Sequence, residues 1–174
     1  MLARILKVMA VAVIFIFQTS FIAALPWPWF YFNFIIVTLV TLLVVADAGT
    51  VSWVVFLFGI LSDIQAADFF GLNIISLLGA LIVTHFALGK FFTNRSLYSF
   101  IFLTLAATVS YELIKAALRL SANFIGESVP LQFIITRHSF IDWGYEIAAN
   151  IFSILIIFYL INYFSRRLKA FFIR

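Results

Sequence analysis

The sequence predicts an all-α polytopic membrane protein, a single bundle of six transmembrane helices. Apolar residues make up 66% of the 174 residues and charged residues 10%, and the mean hydropathy is +1.20; ordinary globular chains hold roughly 45–50% apolar and about 25% charged residues. The apolar residues come in continuous runs with no alternating pattern. In lipid every backbone polar group must be satisfied within a helix or a closed barrel, so continuous runs favour helices. At about 20 residues per span, the length accommodates six spans with short connections.

The elements follow in order. Arg4 and Lys7 precede an apolar run that predicts a first span over 8–25; its length and the lack of an A-x-A site at its end favour a retained span over a signal peptide. Pro26-Trp27-Pro28-Trp29 ends it with helix-breaking prolines and rings suited to the headgroup level. The second span is predicted over 31–45, and Asp47-Ala48-Gly49 separates it from the third, over 51–64. A short polar-aromatic connection leads to the fourth span, over 72–89, closed by Lys90, Asn94 and Arg95. The fifth is predicted over 97–118. Gly126, Glu127 and Pro130 then interrupt the longest stretch between spans, before a sixth over 143–164 and a basic, aromatic tail. No second domain and no internal repeat is visible.

Charge and cysteine content exclude several classes. With no cysteine, disulfides, thiolate metal sites and cysteine nucleophiles are out. A net charge of +4 would suggest nucleic acid in a soluble chain, but here the cations cluster beside apolar runs and nucleic-acid binding is not expected. With six spans, Arg4, Lys7, Lys90, Arg95, Arg166, Arg167, Lys169 and Arg174 share one side, against Lys115, Arg119 and Arg137 on the other. The positive-inside rule then puts both termini in the cytoplasm of a bacterial inner-membrane protein.

The few charges within the last two spans fall on stripes. At about 100° per residue, Thr104, Thr108, Glu112, Lys115 and Arg119 occupy an arc of roughly 80° on the fifth helix. Asp142, Glu146, Asn150 and Ser153 repeat the offsets on the sixth. Antiparallel packing is expected to pair Arg119 with Asp142 and Lys115 with Glu146, with Glu112 at Asn150 and Thr108 at Ser153 below them. Gluing two helices together is a sufficient role for such residues; a ligand or partner site is the alternative.

Gly59 and Asp63 share a face of the third span, and Gly71-Leu72-Asn73 opens the fourth. Asn73 is placed to cap the first-turn amides, with Ser76, Ala80 and Thr84 continuing its small or polar face. A carboxylate at the end of a span needs water, a cation or a hydrogen-bond network, which makes Asp63 the leading functional candidate. Gly59-x3-Asp63-x7-Gly71-Leu72-Asn73, an apolar run and a basic cluster together resemble the signature stretch of the MreD family of rod shape-determining membrane proteins. Length, six spans, cytoplasmic termini and Asn150 in the last span extend the similarity over nearly the whole chain, although the family's prolines and longer basic stretches near the last two spans are sparse here.

The resemblance implies a non-catalytic subunit of the cell-elongation (rod shape) machinery, supporting cell shape and peptidoglycan synthesis. It would bind an MreC-like membrane-anchored scaffold and connect indirectly with an MreB-like actin and cell-wall synthases. Its fold would be similar to the substrate-binding subunits of energy-coupling factor (ECF) transporters. A small-molecule (vitamin-type) binding subunit is the competing reading, with Asp63, Glu112 and Glu146 lining a pocket. Enzyme chemistry is not expected: no H-E-x-x-H, P-loop or dinucleotide fingerprint occurs, His85 and His138 fall at opposite ends of the bundle, and His138, Ser139 and Asp142 lie close only along the chain. No cofactor or metal is expected.

Overall fold

The computed structural model describes residues 2–66, 68–91, 96–124 and 137–172, with side chains described for 8–66, 68–90, 96–122 and 140–163. Six α-helices follow in order: α1 (Leu2–Ile16), α2 (Phe34–Val45), α3 (Ala48–Gln65), α4 (Leu72–Phe91), α5 (Leu97–Phe124) and α6 (Arg137–Phe172). Among the described residues there is no strand. The described residues are therefore all-helical in their regular structure, with four helices among them long and apolar enough to cross a membrane, α3 to α6; Val8–Ala24 and Phe34–Val45 are apolar but shorter.

The predicted helices are present, with shifted ends. The first is an α-helix only to Ile16, continuing through a π turn (Phe17–Phe21) and a 3-10 turn (Ile22–Ala24). The second begins at Phe34, because the proline-aromatic segment forms a separate 3-10 turn at Trp29–Tyr31. α5 runs past 118 to Phe124, and α6 begins at Arg137 and continues past 164. Residues 125–136, with Gly126, Glu127 and Pro130, lie outside the description, as do Asn94, Arg95 and Arg174 and the side chains of Arg4, Lys7, Arg137, His138 and Ser139.

Burial explains the arrangement. α2 is apolar all round and has seven of its twelve residues buried, which marks a central helix rather than a peripheral one. Around it, Val51, Val55 and Phe58 of α3, Leu77 and Ala80 of α4, Leu103 and Ala107 of α5 and Ile154 of α6 complete one core. α4 packs chiefly between α3 and α5, and α6 against α5. α6 is the least enclosed of the four long helices, with 17% of its 18-residue apolar window buried against 33% or more in the windows of the others.

Two glycines set helix spacing. A Cβ on Gly59 would lie 2.7 Å from the Ile74 Cα, so the backbones of α3 and α4 approach each other closely there. A Cβ on Gly79 would meet Ile114 Cδ1 at 2.4 Å, so there the tip of an α5 side chain rests against the α4 backbone. Without a hydrophobic driving force between helices in lipid, such close approach is a principal source of association.

Candidate functional site

Asp63, buried near the end of α3, closes the connection to α4. Its carboxylate accepts from the backbone N–H groups of Gly71 at 3.0 Å, Asn73 at 2.8 Å and Ile74 at 3.2 Å. These are first-turn donors that have no partner within their own helix, and a negative charge there also suits the helix dipole. Gly71, at φ +103, supplies the left-handed turn that aims its N–H at the carboxylate. Capping was expected of Asn73, but Asp63 performs it and frees the Asn73 side chain, whose Oδ1 accepts from the buried Tyr111 hydroxyl of α5 at 2.9 Å. The four residues Gly59, Asp63, Gly71 and Asn73 thus form one α3–α4 clasp with a hydrogen bond onward to α5.

The α5 and α6 stripes do face inward. Thr104, Thr108, Asn150 and Ser153 are buried, and the Asn150 side-chain amide donates to Thr108 Oγ1 at 3.2 Å. That bond overturns the expected register. Thr108 meets Asn150 instead of Ser153, which brings Glu112 opposite Glu146, so the helices are offset by one turn from the alignment that opposite charges suggest.

Neither expected ion pair forms. Arg119 pairs with Asp68 of the α3–α4 connection at 2.6 Å, and its Nε is buried without a hydrogen-bond partner. Lys115 Nζ donates to Tyr111 Oη at 3.4 Å and lies over that ring, 5.1 Å from its centroid. Asp142 accepts from the Tyr31 hydroxyl, and Glu146 accepts from Asn33 Nδ2 at 3.0 Å. The reason is that segments outside the two stripes compete for them: the α1–α2 connection takes the acids of α6, and the α3–α4 connection takes the outermost cation of α5.

Asn33 is the junction. Its Oδ1 caps α2 by accepting from Ile36 N at 3.3 Å, its amide reaches Glu146, and its own N–H donates to Asn150 Oδ1 at 2.9 Å. Gln18, in the π turn after α1, adds two bonds across the same connection, from Nε2 to the Phe32 carbonyl and from Phe34 N–H to Oε1, both at 2.8 Å. Tyr31 stacks on Tyr145 with ring centroids 5.4 Å apart, and its hydroxyl donates to the Asp142 carboxylate. Sequence reasoning missed Gln18, Tyr31, Asn33, Asp68 and Tyr111. An asparagine directly before the apolar run of α2 was a legible capping signal for Asn33; the other four carry no local signature.

His85 is exposed on α4, and among the described residues no group of three or more His, Asp or Glu could hold a metal. Comparison of the chain with protein-family models, curated proteins and solved structures finds no match.

Proposed function

We propose that this chain is a non-catalytic, six-span inner-membrane subunit of a bacterial cell-elongation machinery, holding an MreC-like scaffold as members of the MreD family do. The observation that carries the reading is the clasp: Gly59, Asp63, Gly71 and Asn73, the residues on which the resemblance rests, act together as one structural unit. A motif whose members meet in space is a stronger basis for resemblance than four residues scattered along a chain. The six crossings take α1 on through its π and 3-10 turns to Ala24, and let Leu25–Asn33 complete the path of α2, whose twelve residues give only about 18 Å of helix. In this reading both termini are cytoplasmic, and the fold is similar to the ECF substrate-binding subunits.

The test is co-purification in mild detergent with an MreC-like protein, where one is encoded alongside. Recovery of a stable complex supports the scaffold role, and failure of an encoded, expressed partner to co-purify ends it. The vitamin-binding alternative draws on the partly exposed Glu112, Lys115 and Glu146; a small molecule retained tightly by the purified protein would favour it.

A further inference from the structure

Glu112, Lys115 and Glu146 lie within the helix stretches Leu97–Ala122 and Phe140–Tyr163 that are apolar enough to cross a membrane. Counted along α5 at about 1.5 Å per residue, Glu112 is about 22 Å from the helix start at Leu97, and Glu146, one turn outward of Asn150, lies at a similar level. Those depths fall inside a hydrocarbon layer roughly 30 Å thick. All three side chains are nevertheless partly exposed. Charged atoms do not face hydrocarbon at such depth; they face a bundle interior or a wet cavity.

The backbone alongside makes the same demand independently. Asn33 bonds to Glu146 and Asn150, so α2 begins at their level, and Leu25–Phe32, which is not α-helical, occupies the space from there toward the Ala122 and Phe140 ends. Irregular backbone at membrane depth is tolerated where it is buried in protein or lines water. The lipid side of the same helices is apolar, with Leu113 of α5 54% exposed and Phe152 of α6 52% exposed. Below the Thr108–Asn150 bond the interface is closed by Thr104, Ser153 and Ile154, all buried.

We propose that the space between α5, α6 and the Leu25–Asn33 segment is an aqueous vestibule reaching down to the Thr108–Asn150 bond. Water there solvates the Glu112 and Glu146 carboxyls, which outnumber the single Lys115 ammonium. The inference does not depend on the scaffold reading, since it concerns only what the charged groups face.

The absence of cysteine allows a direct test with single-cysteine variants in lipid nanodiscs and a charged, membrane-impermeant methanethiosulfonate. Glu112→Cys and Glu146→Cys are expected to react within about tenfold of the exposed Ser121→Cys, and Leu113→Cys and Phe152→Cys at least roughly a hundredfold more slowly, the penalty for carrying a charge into hydrocarbon. Reaction of Glu112→Cys and Glu146→Cys as slow as that of Leu113→Cys overturns the proposal, whether the space is closed or filled by a polar segment. Should those variants not remain monodisperse, carboxyl labelling of the unmodified protein with a water-soluble carbodiimide and amine decides it. Modification of Glu112 and Glu146 alongside the exposed Asp47 supports the vestibule, and modification of Asp47 alone refutes it.

Discussion

Thr108 Oγ1 accepts a hydrogen bond from the Asn150 side-chain amide at 3.2 Å, and this contact fixes the register of the two charged helices. It places Glu112 rather than Lys115 beside Glu146, leaving Lys115 and Arg119 a turn beyond the acids they were expected to neutralise. The connections between helices then supply partners, Tyr31 and Asn33 to α6 and Asp68 to α5.

The first prediction concerns Arg119. A double-mutant cycle on stability with Asp68→Asn and Arg119→Gln is expected to show coupling, and the same cycle with Asp142→Asn to be additive. Both partners of the Arg119–Asp68 pair are partly exposed, at 25% and 28%, so solvent screening keeps the coupling below about 1 kcal/mol. Coupling to Asp142 instead of Asp68, measured by thermal unfolding in detergent, would restore the register that sequence suggests.

The second concerns the α3–α4 clasp. Asp63→Ala strands three first-turn amides and is expected to cost about 2 kcal/mol, the upper end for a lost cap. Gly59→Ala forces a methyl to 2.7 Å from Ile74 Cα and should cost about 1–3 kcal/mol as overpacking. Gly144→Ala, whose added methyl meets nothing within 4 Å, serves as the neutral control. If Asp63→Ala unfolds at the wild-type temperature, the carboxylate is not a structural cap and a functional role regains its place.

How much of this was legible beforehand follows from the physics of each feature. Bulk apolarity and unbroken runs gave helices and their approximate places, because lipid leaves the backbone little choice. The stripes on α5 and α6 were also legible, since 3.6-residue periodicity decides which residues share a face. Their pairing was not. Periodicity carries no depth information, and opposite charge is a weak guide to register when a third segment can bind the same groups. Asp63 stood out as a costly charge, but sequence could not show that eight residues on the chain turns back to present three amides to it. Gln18 and Tyr111 were invisible because their partners, Phe32, Phe34 and Asn73, are 14 or more residues away.

The last prediction separates two roles of Asn33. As an N-cap in water, aspartate is about as good as asparagine, serine nearly so, and alanine worse by roughly 1 kcal/mol. Here the Asn33 amide also donates to Glu146, which an aspartate cannot do; it would instead bring a third carboxylate toward Glu112 and Glu146. The stability order at neutral pH is therefore expected to be asparagine, serine, alanine and finally aspartate. Capping alone would leave Asn33→Asp near wild type. Thermal unfolding of the three variants decides between the two orders. Asn33→Asp above Asn33→Ala would show that the contact with Glu146 contributes less than the cap, and that α2 and α6 are joined chiefly through the Asn33 N–H bond to Asn150.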